Sequence, residues 1–240
     1  VSTSVFIEGI RGVLLDVEGT TTPIAFVHDV LFSYARTHVR DYLANNFDDE
    51  DVRADIRLLR NEHGREGFPA DTDVDAIASH VIQLIDLDRK STGLKSLQGK
   101  IWYEGYSDGI LRAQVFPDVA PAFARWRETG LIVSIFSSGS VLAQKLLFAH
   151  TDAGDLTPFI SHYFDTGVGK KGEAESYRRI AETLGQKPGE SLFISDVDAE
   201  LAAAREAGMK TVLSIRPGNQ PQHSASQYPT IHSFDELQIT

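Results

Sequence analysis

The chain has 240 residues, 42% of them hydrophobic and 24% charged, which suits a soluble globular protein with one large domain or a core carrying a smaller inserted one. A formal net charge of −11, with no Lys/Arg-rich run, excludes the basic face of a nucleic-acid binder, so no nucleic-acid partner is expected. The absence of cysteine rules out disulfides, thiolate zinc sites and a cysteine nucleophile. No apolar stretch approaches the roughly 20 residues that span a bilayer, and no basic-then-apolar leader opens the sequence, so a cytoplasmic protein without a membrane partner is expected.

In chain order, residues 13–15 read as the first core strand, with 5–10 leading into it. Residues 25–112 change texture. Apolar positions recur at three- and four-residue spacing through Val30, Leu31, Tyr34, Val39, Tyr42 and Leu43, then Val52, Ile56 and Leu59, then Ile77, Val81, Ile82 and Ile85. The block reads as all-helical, with polar loops at 45–49 and 64–73. From Val115 the pattern alternates: helices at 118–129, 141–150, 173–184 and 199–207, strands at 131–136, 191–194 and 211–215, then a polar tail at 216–229. Alternating strands and helices predict βαβ units and a doubly wound parallel sheet. The expected division is a core of 1–23 and 113–240 and a helical insert of 24–112. Inserted just after the first strand, that block is expected to close over the strand's end as a lid, with hinges near Pro23 and 111–116.

Four strand ends in the α/β part are expected to carry chemically useful groups. The first strand ends in Asp16-Val17-Glu18-Gly19-Thr20-Thr21-Thr22-Pro23. Open α/β sheets bind ligands at such strand ends, and an aspartate there can act as a nucleophile through an aspartyl-phosphate. An extended backbone turns Asp16 and Glu18 the same way, and the turn is expected to expose backbone N–H groups. Phe136-Ser137-Ser138-Gly139-Ser140 ends a buried strand in hydroxyls before a helix, an anion cradle. Ser137 and Ser138 also have a plain reading as helix caps. Gly169-Lys170-Lys171-Gly172 offers a cation, or a solvated lysine pair. Ile194-Ser195-Asp196-Val197-Asp198 ends another strand in acid, with Asp198 read as a cap or supporting residue. Oxygen ligands beside a substrate phosphate favour Mg²⁺ over zinc. His28, His63 and His80 lack ligand spacing and read as surface or packing residues. No Gly-x-Gly-x-x-Gly or Gly-x4-Gly-Lys-Ser/Thr nucleotide motif is present.

Asp16-x-Glu18-Gly-Thr, Ser137-Ser138-Gly139, a lysine before a helix and Asp196 at a strand end resemble the haloacid dehalogenase superfamily. Its usual first motif is Asp-x-Asp-Gly-Thr. The departure at Glu18, together with Thr21-Thr22-Pro23-Ile24, is similar to the enolase-phosphatases of methionine salvage, as are Gln144-Lys145-Leu146-Leu147-Phe148, Phe164-Asp165-Thr166 and Glu175-Ser176-Tyr177-Arg178. The resemblance implies a Mg²⁺-dependent bifunctional enzyme. It would enolise 2,3-diketo-5-methylthiopentyl-1-phosphate and then remove the phosphate, giving the acireductone. Asp16 would be the nucleophile and a metal ligand, and Glu18 the acid/base and a main-chain metal ligand. Ser137 and Ser138 would bind phosphate. Lys171, with Lys170 as fallback, would be the catalytic and substrate-binding lysine, and Asp196 a metal ligand. A monomer is expected. Another phosphatase of the superfamily, acting on a different small phosphate ester, is the alternative. A metal-free dehalogenase and a non-catalytic binding protein are more distant rivals.

Overall fold

The computed structural model describes residues 4–63, 68, 73–89, 91–222 and 227–240. Residues 64–67 and 69–72 of the expected loop, 223–226 of the expected tail and the His63 side chain lie outside the described set. The chain divides into two compact units: His28–Leu111, and Val1–Val27 with Arg112–Thr240.

The smaller unit is built from α1 (Ser33–Asn46), α2 (Glu50–His63), α3 (Val74–Asp86) and α4 (Thr92–Ser107). A π-helical segment, Phe26–Phe32, runs into α1. Val39 and Leu43, Ile56 and Leu59, Ile77 and Val81, and Leu97 and Ile101 turn one stripe of each helix inward. Asp73 caps α3 by accepting from the Ala76 amide at 2.9 Å. Ser91 caps α4 through the Leu94 amide at 3.2 Å. A Cβ on Gly93 would stand 2.9 Å from the Asp55 carbonyl, so only glycine lets α4 approach α2 this closely. His28 is exposed, edge-on to Phe32 at 5.3 Å, and His80 packs edge-on to Phe68 at 4.9 Å.

The larger unit holds a six-stranded parallel sheet of β2 (Gly12–Leu15), β3 (Ile132–Phe136), β4 (Ile160–Phe164), β5 (Ser191–Ser195), β6 (Lys210–Ser214) and β7 (Thr230–Ile231), in the order β4-β3-β2-β5-β6-β7. Its helices are α5 (Val119–Glu128), α6 (Val141–Ala149), α7 (Ala174–Thr183) and α8 (Asp198–Glu206). Every residue of β2 and β5 is buried, as in parallel strands covered on both faces. Leu14, Phe136, Tyr177, Phe193, Leu201 and Leu213 share one core cluster. The chain winds from β2 toward β4 on one side and from β5 toward β7 on the other. The switch point falls between β2 and β5, where such sheets place their ligands.

Residues 5–10 do not lead into the main sheet as a strand. β1 (Val5–Ile7) instead pairs in parallel with β8 (Leu237–Ile239), register Phe6↔Gln238. β4 carries no sequence expectation. It is an edge strand with only its two end residues buried, so its apolar pattern is weak.

Arg216, just past β6, ties three parts of this unit together. Its guanidinium forms a bidentate pair with Asp118, at 3.0 and 2.8 Å. It also donates to the Thr20 carbonyl at 3.2 Å and the His232 carbonyl at 2.8 Å. The rings of Phe116 and Phe234 lie 4.7 and 4.6 Å from it. Both charged side chains are nine-tenths buried. Removing one partner strands the other charge away from water. Arg216→Leu is therefore expected to lower stability by about 3–5 kcal/mol in urea unfolding. A loss below about 1 kcal/mol would show that Asp118 finds water or another donor.

Candidate active site

Asp16 follows directly on β2, its amide donating to the Ile194 carbonyl of β5 at 3.0 Å. The side chain is 7% exposed. Oδ1 accepts from the Val17 amide at 2.7 Å and from Lys171 Nζ at 2.6 Å, whereas Oδ2 accepts only a long bond from Ser195 Oγ at 3.4 Å and keeps a lone pair to spare. The turn beyond Asp16 closes on itself. The amides of Thr21 and Thr22 donate to the Val17 carbonyl at 3.0 and 2.9 Å, and Gly19 donates to the Thr22 carbonyl at 2.8 Å. The expected display of backbone N–H groups toward a ligand is corrected at these positions, because the donors satisfy the turn. Glu18 is half-buried beside this turn.

Lys171 lies in the loop between β4 and α7, not at a strand end. Two side chains from the first turns of α7 fix that loop. Ser176 Oγ donates to the Lys170 carbonyl and Tyr177 Oη to the Lys171 carbonyl, both at 2.7 Å. Gly169 has φ +141° and its Cβ position is filled by Ser176 Oγ, so a side chain there would displace the clamp. The result turns the two lysines apart. Lys170 is 84% exposed and pairs with Glu173 at 3.4 Å. Lys171 is 11% exposed and bridges Asp16 and Glu200, the latter at 2.7 Å.

Glu200 has no place in the sequence expectations. It sits in the first turn of α8 and accepts from Lys171 and from Ser195 Oγ at 2.9 Å. It lies four residues beyond Asp196, just inside the helix that follows β5. Asp196 follows β5 and is buried. Burial, then Asp16, then Glu200 push its carboxyl up to about 7. Burial and then Asp16 push Glu200 up to about 7 as well. Burial works against the Lys171 ammonium, but Asp16 and Glu200 outweigh it and the pKa rises. α8 carries no side-chain cap bond, so Asp198 does not cap it. The Asp198 amide donates to Gln222 Oε1 at 3.1 Å.

Ser137 is buried at the end of β3, its Oγ accepting from the Gly139 amide at 3.1 Å. Ser138 is half-buried. Neither caps α6. Ser140 does so, through the Ala143 amide at 3.2 Å. The register pairs Leu15 with Ile135, so Asp16 and the two serines share one edge of the sheet. Lys171 Nζ lies 5.8 Å from the ring of Phe136, the residue before them. Gln144 Nε2 donates to the Gly139 and Phe164 carbonyls, both at 2.9 Å, tying the serine loop to the end of β4.

Asp16 and Glu200 thus share one ammonium, and the buried Asp196 carboxyl feels both of them. A divalent cation fits the remaining charge. Among the described residues no three His, Cys, Asp or Glu side chains form a ready-made metal shell.

Residues 10–208 match the haloacid dehalogenase-like hydrolase family. A protein of Synechococcus elongatus named enolase-phosphatase E1 is 54% identical over 233 residues, covering 95% of this chain and 98% of its own. The chain belongs to the enolase-phosphatase E1 family. It is an enzyme, a haloacid dehalogenase-like hydrolase. A family member of Drosophila mojavensis is 46% identical, with 94% of each chain covered. The UTR4 protein of Saccharomyces cerevisiae superposes with a TM-score of 0.79 at 34% identity, covering 94% of this chain and 99% of that one. A plant relative from Arabidopsis thaliana, 45% identical over 95% of this chain and 48% of its own, is named a probable bifunctional methylthioribulose-1-phosphate dehydratase/enolase-phosphatase E1. Among the described residues no helix is long and apolar enough to cross a membrane.

Proposed function

We propose that the protein converts 2,3-diketo-5-methylthiopentyl-1-phosphate to the acireductone and phosphate, by enolisation followed by phosphate hydrolysis. The observation that carries this reading is Lys171 held 2.6 Å from Asp16 at the sheet's switch point, in a chain of the enolase-phosphatase family.

Asp16 Oδ2 attacks phosphorus. The Oδ2–P bond forms as the P–O ester bond breaks, and water then hydrolyses the aspartyl-phosphate. Lys171 holds Asp16 in place and offsets phosphate charge in a buried site. Ser137 and Ser138 hold the phosphate oxygens. Glu18 is assigned proton transfer to the leaving oxygen. Asp16, Asp196 and the Glu18 carbonyl would hold Mg²⁺. When bound, it would neutralise phosphate charge and stabilise an enolate. Enol absorbance and phosphate release are to be followed separately on the diketo phosphate and on sugar phosphates. Equal turnover of sugar phosphates would point to a general phosphatase. A monomeric, cytoplasmic enzyme completes the proposal, checked by light scattering and cell fractionation.

Mg²⁺ is expected to compete with protons here. Asp196 carries its proton up to about pH 7 without metal, so Mg²⁺ affinity falls up to about tenfold per pH unit below that value. The same raised values stabilise the metal-free fold at low pH. Their contribution is fully present below the ordinary carboxyl range and is lost as pH rises through about 7. Titration calorimetry and thermal unfolding between pH 5.5 and 8 check both. A pH-independent Mg²⁺ affinity would remove Asp196 from the metal's ligands.

A further inference from the structure

Asn219 stands in the loop beyond β6, far in sequence from the motif residues yet against them. Its Nδ2 donates to the Gly19 carbonyl at 2.9 Å and to the Ser214 carbonyl at 3.3 Å. Two carbonyl acceptors on one side fix which end of the amide is nitrogen, so the opposite end is Oδ1. That Oδ1 is buried and has no hydrogen-bond partner among the described residues. It faces a particular spot. Gly19 has φ +70°, and a Cβ built on it would lie inside contact distance of Asp196 Oδ2 and 2.9 Å from Asn219 Oδ1. Two oxygens, one of them on the Asp196 carboxyl, thus converge beside a residue with no side chain. Leaving a buried acceptor without a donor is unfavourable. Among the described residues none donates to it.

We infer that Asn219 is a supporting oxygen of the cation site, its Oδ1 accepting a hydrogen bond from a water of the Mg²⁺ shell beside Asp196. The inference rests on the proposed Mg²⁺ dependence. Asn219 is a positioning residue: it orients the shell from outside while its Nδ2 braces the turn that carries Asp16 and Glu18. Groups that orient a metal's ligands in this way typically change affinity by about 10–100-fold when removed.

The test measures Mg²⁺ binding by titration calorimetry, and the rise in unfolding temperature on adding saturating Mg²⁺, in the wild type, Asn219→Ala and Asn219→Asp. Asn219→Ala removes both brace and acceptor. Asn219→Asp removes the amide donor but keeps an oxygen. The expected result is at least about tenfold weaker Mg²⁺ binding and a smaller Mg²⁺-induced rise for Asn219→Ala, with affinity recovered in Asn219→Asp. A purely bracing role moves the metal-free unfolding temperature of both variants and leaves affinity and the Mg²⁺-induced rise at wild-type values. That result would overturn the inference. Equal weakening in both variants would overturn it too, because only the amide donor would then matter. A wild type that binds no Mg²⁺ overturns the metal reading itself, a separate and visible failure. If Asn219→Ala does not fold, Asn219→Ser, which is smaller and still polar, takes its place in the same three measurements.

Discussion

Asp16→Asn is expected to lower phosphate release by about 10⁴-fold or more while leaving part of the enolisation signal. Removing a nucleophile that acts as one part of a unit costs on this scale. The substitution is nearly isosteric. The amide oxygen can still accept from the Val17 amide that now binds Oδ1 at 2.7 Å, so the turn keeps its shape. What disappears is the carboxylate oxygen proposed to attack phosphorus. Enolisation needs only a base within reach of the acidic C–H, and Glu18 sits two residues on. The variant also removes one of three carboxylates crowded around a single lysine. Its metal-free unfolding temperature is therefore expected not to fall, which separates lost chemistry from lost structure. Phosphate release near the wild-type rate in the folded variant would remove Asp16 as the nucleophile.

Much of the core's layout is legible because buried parallel strands write themselves as short apolar runs. β2, β3, β5 and β6 are all of this kind, and α5 to α8 lie within a residue or two of their sequence positions. β4 escapes because an edge strand needs only part of its surface buried, and Ile160-Ser161-His162-Tyr163-Phe164 alternates weakly. β1 reads as a lead-in to β2 because adjacency in sequence cannot reveal that its partner is the last strand, β8. Asp16, Glu18, Ser137, Ser138 and Asp196 are visible because strand ends at a switch point are where polar residues are out of character. Glu200 and Asn219 are not. A glutamate in the first turn of a helix and an asparagine after a Pro-Gly turn are what surface caps and loops ordinarily look like. Only the fold shows that the first holds Lys171 and the second braces Gly19.

Lys171→Ala is expected to cripple turnover by about 10²–10³-fold, whereas Lys170→Ala stays within about 0.5 kcal/mol, or roughly a factor of two. The two residues are neighbours of the same type, so only their surroundings separate them. Lys170 is a solvated side chain facing Glu173, and an exposed pair of this kind contributes little. Lys171 is the only cation paired with Asp16 and Glu200 among the described residues. Its loss leaves Asp16, Asp196 and Glu200 repelling one another in a buried space. The carboxyls of Asp196 and Glu200, already pushed up to about 7, then rise further. The activity of Lys171→Ala is therefore expected to recover in part as pH is raised and Asp196 ionises, a profile that a misfolded variant does not show. Stability should fall as well, more at pH 8 than at pH 6, because the unpaired carboxylates are fully charged at the higher pH. Parallel pH–rate profiles and urea unfolding of the two alanine variants decide the matter. A crippled Lys170 variant beside a normal Lys171 variant would show that the loop is held one residue out of this register when substrate binds.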